Sequence, residues 1–152
     1  MTNPEKLIYP IGVVAKILDI SVHTIRLYER QGLLIVRKTD TGRRIFSGKD
    51  IERLRCIRRM ILEKGLNLQG IKRIMAFIPC WKLKTNCSIA DYKECPAYQQ
   101  SHAPCWALPE KPIVCSNADC YICPVYNLPI DCDNVKRLFH DGITLESMSR
   151  SK

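Results

Sequence analysis

The sequence predicts a mainly α-helical fold in two parts, a basic N-terminal domain and a small, loop-rich, cysteine-rich domain. Residues 1–79 contain 16 Lys/Arg and 7 Asp/Glu, whereas residues 80–152 contain eight of each, so the net charge of +9 belongs to the first part. Eight of the nine cysteines lie between residues 80 and 132. Because both compositions change near Pro79, we predict the domain boundary there. A basic excess confined to one small domain favours a polyanion partner.

Two short helices open the N-terminal domain. The first carries apolar residues at helical spacing, which are Ile11, Val14, Ala15 and Leu18. Ser21 can cap the second through its hydroxyl, and Gly32 can end it, so this helix is expected from Val22 to about Arg30. Two helices joined by such a short turn form a helix-turn-helix, whose second helix enters the major groove of DNA.

A β-hairpin with basic flanks is predicted next. Two β-prone stretches within residues 33–46 surround the turn former Asp40-Thr41-Gly42. The tip and flanks carry Arg37, Lys38, Arg43 and Arg44. A two-stranded wing of this kind can lie along a phosphate backbone.

Two further helices complete the domain. Ser47 and Asp50 resemble a capping box that opens a third helix, which Gly65 ends. Its apolar face is expected to hold Ile51, Leu54, Ile57, Ile61 and Leu62. A fourth helix is expected to be capped by Asn67. Its inward-facing residues are expected to be Leu68, Ile71, Ile74 and Met75. The arginines of the third helix are expected mostly on its solvated side, as phosphate contacts or as a solubilising face; they are Arg53, Arg55, Arg58 and Arg59.

Five stretches of this domain resemble the MerR family of winged-helix transcription regulators. In order they are Ile11–Ala15, Thr24–Leu33, Gly42–Ser47, Asp50–Leu54 and Gly65–Ile74. The resemblance covers roughly residues 8–78, and Leu27 with Gly65–Leu68 looks most similar to the heat-shock repressor (HspR) branch. It implies a winged helix-turn-helix in a DNA-binding regulator. Double-stranded DNA is the implied partner, and RNA polymerase stays open as a second one.

The resemblance also implies roles for single residues. The predicted DNA-contacting set, with the wing included, is Val22, His23, Thr24, Arg26, Tyr28, Arg37, Lys38, Arg43 and Arg44. By the resemblance, the first three would approach base edges, Arg26 and Tyr28 would hold phosphates, and Arg43 and Arg44 would serve the wing. The hairpin pattern adds Arg37 and Lys38 to the wing. For His23 the alternative is a plain surface residue, and for Tyr28 a core residue.

One departure from the family concerns the dimer. Members usually continue into a long helix that forms an antiparallel coiled coil between two subunits. Here Pro79-Cys80 follows almost at once, and no heptad pattern appears beyond it. We expect a homodimer to be the functional form, although the usual dimerisation helix is not evident.

The cysteine-rich segment, residues 80–132, contains an internal repeat. Cys80-Trp81, Cys87 and Cys95-Pro96-Ala97-Tyr98 recur in the same order as Cys105-Trp106, Cys115 and Cys123-Pro124-Val125-Tyr126. This layout resembles a cysteine-rich "two-CW" module attached to bacterial sensor and signalling proteins, which implies a sensory accessory domain.

The thiols are the candidate ligands of this segment. Thiolates bind iron–sulfur clusters, zinc and copper(I), and Cys120 and Cys123 have knuckle spacing. The candidate metal ligands are Cys80, Cys87, Cys95, Cys105, Cys115, Cys120, Cys123 and Cys132. We predict an iron–sulfur cluster, with structural zinc as the alternative; reversible disulfides and free core thiols also stay open. A proline-rich segment with little helical periodicity needs such an external staple to stay folded.

Other function classes lack support in the sequence. It holds no run of 18 apolar residues and no apolar leader, so a cytoplasmic protein without membrane contact is expected. It also has no nucleotide-binding loop and no redox motif in a βαβ setting, so we do not expect an enzyme. Residues 133–152 are predicted as one short helix and a disordered tail.

Overall fold

The computed structural model describes residues 7–84, 93–110, 115 and 119–127. The chain divides into two compact units, Met1–Leu68 and Gln69–Lys152. The division thus falls before the boundary predicted at residue 79, and the predicted domain bounds stay a prediction. The short helix and tail expected for 133–152 lie outside the described residues.

The predicted helix-turn-helix is confirmed. Helix α1 spans Ile11–Leu18 and helix α2 spans Val22–Arg30. Between them Asp19 adopts a left-handed conformation with φ 51°, which aspartate tolerates better than most residues. The Ile20 amide donates to the Ala15 carbonyl at 3.0 Å, and the Ser21 hydroxyl accepts from the Thr24 amide at 3.0 Å. The predicted cap therefore starts α2.

The wing has three strands rather than the expected two. Strand β2 (Arg37–Lys38) pairs antiparallel with β3 (Arg44–Phe46), and Gly42 takes φ 79° in the turn between them. Strand β1 (Tyr9–Pro10) pairs with the other edge of β3, so the strand order is β1-β3-β2. Pro10 lacks an amide proton and is confined to a sheet edge. A two-residue strand shows no alternation in the sequence, which is why β1 was not predicted.

Helix α3 (Gly48–Leu62) begins with the predicted capping box, in which Ser47 and Asp50 bond reciprocally. Its buried apolar residues recur every three positions, as Ile51, Leu54, Ile57 and Met60. A three-residue step falls behind the helical winding by about 60°, so the buried face drifts around the helix. Leu62 therefore lies off that face and is 70% exposed, contrary to the prediction that it faces inward.

The described residues of the second unit contain little regular structure. Helix α4 (Leu68–Ala76) buries Ile71 and Met75, and two short helices follow, α5 (Cys80–Leu83) and α6 (Pro96–Gln99). Two single 3-10 turns complete the described elements, Cys105–Ala107 and Cys120–Ile122. In the described part of the chain, no helix is long and apolar enough to cross a membrane.

Ile57→Ala should lower the free energy of unfolding by about 2–5 kcal/mol, because its fully buried side chain would leave a cavity. Leu62→Ala, on the same helix, is the matched control and should change stability by less than about 0.5 kcal/mol. Urea unfolding of the full chain, followed by far-ultraviolet circular dichroism, measures both. Equal losses for the two variants would place Leu62 in the core after all.

Candidate nucleic-acid interface and thiol cluster

The start of α2 is accessible to a ligand. His23 and Arg26 are exposed, and Val22 and Thr24 are half-buried. The Thr24 hydroxyl shares a 2.8 Å hydrogen bond with that of Ser21, so Thr24 also supports the cap of its own helix. The side chains expected to approach base edges thus lie on the first turn of an exposed helix.

The wing carries three exposed cations and one that is half-buried. Arg37, Lys38 and Arg43 are exposed. Arg44 is half-buried, and its Nε donates to Oε2 of Glu29 in α2 at 2.7 Å. Arg44 therefore ties the wing to α2, whereas its predicted contact with DNA stays a prediction.

Tyr28 lies in the core, 5% exposed. Burial raises the pKa of its hydroxyl, and the nearby Arg58 charge offsets part of that effect. This placement favours the core role over the phosphate contact that the family resemblance implies.

The arginines of α3 do not simply form a solvated face. Arg53 donates from Nε to the Leu33 carbonyl at 2.9 Å, and Arg58 donates to the Leu18 carbonyl. Both are half-buried. The other two form ion pairs along the helix, Arg55 with Glu52 and Arg59 with Glu63 at 3.4 Å. The expectation of a mostly solvated side is therefore wrong for Arg53 and Arg58.

In the second unit, four cysteines lie close enough to Cys105 to act on it electrostatically. Cys105 is partly buried, and burial together with the negative charges of its neighbours raises its pKa to about 12. The neighbours acting on it, strongest first, are Cys80, Cys123, Cys120 and Cys115. We call these five residues the thiol cluster. All five are free thiols, and they come from both copies of the repeat.

Lys84 is the cation of this cluster. Its Nζ lies 2.7 Å from Sγ of Cys115. Burial lowers the pKa of Lys84, but the hydrogen bond to Cys115 and the charges of Cys115, Cys123 and Cys105 outweigh that effect, and the pKa is raised. The lysine thus stays charged and offsets part of the negative charge that several thiolates would build up.

The two repeat copies share backbone turns but differ in burial. Each Cys-Trp pair follows a proline and opens a helical turn, with amides donating to the carbonyls of Pro79 and Pro104. Each Cys-Pro pair opens another turn closed on its cysteine carbonyl. Tyr126 is buried and meets Trp106 edge-on at 5.1 Å, whereas Tyr98 in the matching position is 43% exposed. The second copy therefore carries the small core of the described segment.

The eight predicted metal ligands do not all join the cluster. Cys95 is buried and is not among the residues that act on Cys105, and Cys87 and Cys132 lie outside the described residues. As placed in the described ranges, no three His, Cys, Asp or Glu side chains are arranged to hold a metal ion. The donor chemistry of the thiol cluster fits a thiophilic metal, but its side chains would have to move closer together to bind one.

Sequence reasoning did not single out Lys84, and it misplaced Arg53 and Arg58. Lys84 stands in the gap between Cys80-Trp81 and Cys87, where no spacing marks it. The two arginines donate to backbone carbonyls of residues distant in the sequence. Because every residue has a backbone carbonyl, the sequence does not indicate which one an arginine will bind. For the two Cys-Trp turns the sequence does contain a usable signal, which is the proline before each pair, at Pro79 and Pro104.

Comparison with known proteins finds a family that the N-terminal part resembles. Residues 9–78 match the family described as MerR HTH family regulatory protein, a range that includes β1 to β3 and α1 to α4. The chain is 37% identical over 68 residues to the HTH-type transcriptional regulator GlnR of Bacillus anthracis, covering 45% of this chain and 52% of that protein. It is 38% identical over 78 residues to the putative heat shock protein HspR of Streptomyces coelicolor, covering 48% and 52%. The chain thus spans about half the length of the curated relatives it matches.

A solved structure is also similar to this chain. It is described as HiNmlR, a MerR family regulator lacking the sensor domain, bound to promoter DNA. The identity is 31%, the match covers 44% of this chain and 53% of that one, and the TM-score is 0.42.

The raised pKa predicts slow alkylation of Cys105 in the metal-free protein. A thiol with a pKa near 12 is almost entirely protonated at pH 8, and only the thiolate attacks iodoacetamide, so its rate should fall roughly a hundredfold or more below that of an ordinary thiol. The rate should rise as the pH approaches the raised pKa.

Mass spectrometry of the full chain after timed alkylation measures this rate. The urea-unfolded chain is the control, in which burial and neighbouring charges are lost and Cys105 should react at an ordinary rate. Equal rates in the folded and unfolded chains would contradict the burial of this thiol among other cysteines.

Proposed function

We propose that this chain, whose residues 9–78 form a MerR-type helix-turn-helix domain, is a sequence-specific DNA-binding transcription regulator. The observation that carries the proposal is that α2 presents exposed side chains near its start and is joined to a basic wing by the Arg44–Glu29 ion pair. His23 and Arg26 are accessible on the helix, and Arg37, Lys38 and Arg43 on the hairpin. A helix that reads base edges and a wing that holds phosphates divide the two tasks of DNA recognition.

Several finer assignments belong to the same proposal. A cytoplasmic homodimer is the functional form, with RNA polymerase as a second partner. The HspR-like branch rests on Leu27 and Gly65–Leu68; the identities to GlnR and HspR, 37% and 38%, do not separate the two. GlnR, one of the relatives named above, is described as a transcriptional regulator, which supports a role without catalysis.

The direct test is selection of binding sites from a randomised DNA duplex library by the full chain. A regulator of this kind should enrich a defined sequence, with the inverted symmetry that a homodimer requires. Retention of DNA without enrichment of any sequence would reject the sequence-specific function.

Arg26→Ala and Arg43→Ala should each weaken binding to all duplexes, because phosphate contacts carry no base information. Each loss should also reduce the slope of log affinity against log salt by about one unit. Salt titrations with the selected duplex and with a scrambled duplex of equal length measure both effects.

Lys93→Ala is the matched control for these variants. It removes one exposed positive charge from the cysteine-rich part, at a residue that is not among those assigned to DNA. Its slope should equal that of the unmodified chain. If Arg26→Ala or Arg43→Ala behaves like this control, the phosphate role of that residue is wrong.

We further propose that the cysteine-rich part modulates DNA binding as a redox- or metal-sensing module that holds an iron–sulfur cluster. Convergence of thiols from both repeat copies on Cys105 supports a common site, and Lys84 supplies a positive charge that would offset an anionic cluster. The alternative is a structural zinc scaffold or a partner-binding surface. The Cys120 and Cys123 turn, closed by a 3.2 Å backbone hydrogen bond, favours the zinc reading.

Protein purified without oxygen should contain iron and absorb visible light. When oxygen or a chelator removes the cluster, the affinity of the protein for the selected duplex should change by about fivefold or more, which is roughly the lower limit of allosteric couplings. Elemental analysis and binding titrations measure the two quantities. Re-titration after anaerobic reconstitution is the control for irreversible damage. Equal affinities would reject the coupling, and stoichiometric zinc without iron would favour the scaffold.

A further inference from the structure

Two arginines of α3 bind the backbone at the ends of the two DNA-recognition helices. Arg58 donates to the carbonyl of Leu18, the last residue of α1, and Arg53 donates at 2.9 Å to the carbonyl of Leu33, just after α2. We propose that Arg53 and Arg58 are positioning residues that fix the orientation of α2 and thereby the sequence specificity of the protein. This inference rests on the proposed DNA-binding function.

Arg58 acts at the turn of the helix-turn-helix. The Leu18 carbonyl belongs to the negative end of the α1 dipole and has no partner further along that helix. A guanidinium there makes a charge-assisted hydrogen bond immediately before Asp19, whose left-handed conformation turns the chain toward α2. The Arg58 charge also acts on Tyr28, a core residue of α2. One side chain of α3 therefore contacts the end of α1 and lies close to the middle of α2.

Arg53 acts where α2 ends. Gly32 takes φ 74° after the helix, and Leu33 is then fully buried, so its carbonyl could not be satisfied by water without opening the core. Arg53 satisfies it from the first half of α3. From the wing, Arg44 of β3 forms an ion pair with Glu29 of α2 at 2.7 Å. The recognition helix is thus fixed by α3 near its turn and at its exit, and by the wing along its side.

This arrangement separates positioning from phosphate contact. Side-chain hydrogen bonds to bases require distances of about 2.7–3.2 Å, so a small rotation of α2 would break base contacts while leaving the long, adaptable phosphate contacts in place. An arginine that donates to a carbonyl of the protein is held against that carbonyl, so its other N–H groups have little freedom to reach outward for a phosphate. Loss of Arg53 or Arg58 should therefore reduce discrimination between sequences and leave the salt dependence intact.

The test uses Arg53→Met and Arg58→Met in the full chain, with Arg55→Met as the matched control. Arg55 lies on the same helix and carries the same charge, but its ion pair is with Glu52 of α3 itself. The affinities for the selected duplex and for a scrambled duplex are measured over a range of salt, at a temperature where circular dichroism shows every variant folded. A purely stabilising role would not change the ratio of the two affinities under those conditions.

We expect the affinity ratio to fall roughly tenfold for Arg53→Met and Arg58→Met, equivalent to about one lost base contact, with unchanged salt slopes and no change for Arg55→Met. Arg53→Lys and Arg58→Lys, which retain a charged donor, should recover part of the ratio. If a methionine variant does not fold, the lysine variant takes its place and should show an intermediate loss.

Two results would overturn the inference. An unchanged affinity ratio shows that the arginines do not position α2. A salt slope reduced by about one, with equal losses on both duplexes, shows that they are phosphate contacts. Failure of the unmodified chain to distinguish the two duplexes overturns the proposed function itself, and so is distinct from failure of the variants.

Discussion

The N-terminal unit depends on α3, because this helix supplies both the apolar surface and the charged donors that hold the other elements. Ile51, Leu54 and Ile57 give it a buried face, and the capping box of Ser47 and Asp50 fixes where it begins. The drift of that face around the helix lets one helix contact α1 and the sheet in succession. Both α1 and α2 have only two turns or slightly more and would not be stable alone. The orientation of α1 and α2 therefore depends on their packing and hydrogen bonds with α3.

The cysteine-rich part is organised by a different constraint. Its described segments bury few large apolar side chains, chiefly Val125 and Tyr126, so hydrophobic burial contributes little to holding its turns together. In the proposed function, a metal held by the thiols takes the place of a core, because the thiols alone do not form a stable arrangement. Several thiolates close together repel one another, whereas protonated thiols bind no metal. Repulsion between thiolates contributes to the raised pKa of Cys105, and the ammonium of Lys84 beside Cys115 offsets part of it. A bound metal would remove the remaining repulsion.

The sequence predicted those features that depend on local chemistry. The cap of Ser21, the capping box at Ser47 and the glycine turn at Gly42 are each decided within four residues, and each was confirmed. Features that depend on distant partners were missed: β1 exists only through its pairing with β3, and Arg58 acts on a carbonyl 40 residues away. Burial of Tyr28 was one of two alternatives that the sequence left open, since a tyrosine on an amphipathic helix suits a core and a phosphate equally well until the packing is known.

The basic excess that first suggested a polyanion partner is not all available for close contact. Arg53 and Arg58 are bound to carbonyls, Arg44 to Glu29, and Arg55 and Arg59 to carboxylates of their own helix. All five still contribute to the long-range potential that attracts DNA, because that potential depends on net charge rather than on hydrogen bonding. In the proposed function, contact at phosphate distance falls instead to the exposed cations of α2 and the wing, notably Arg26, Lys38 and Arg43. The proposal thus gives arginine three roles, which are attraction of DNA, positioning of α2 and contact with phosphate, and the sequence alone does not distinguish them.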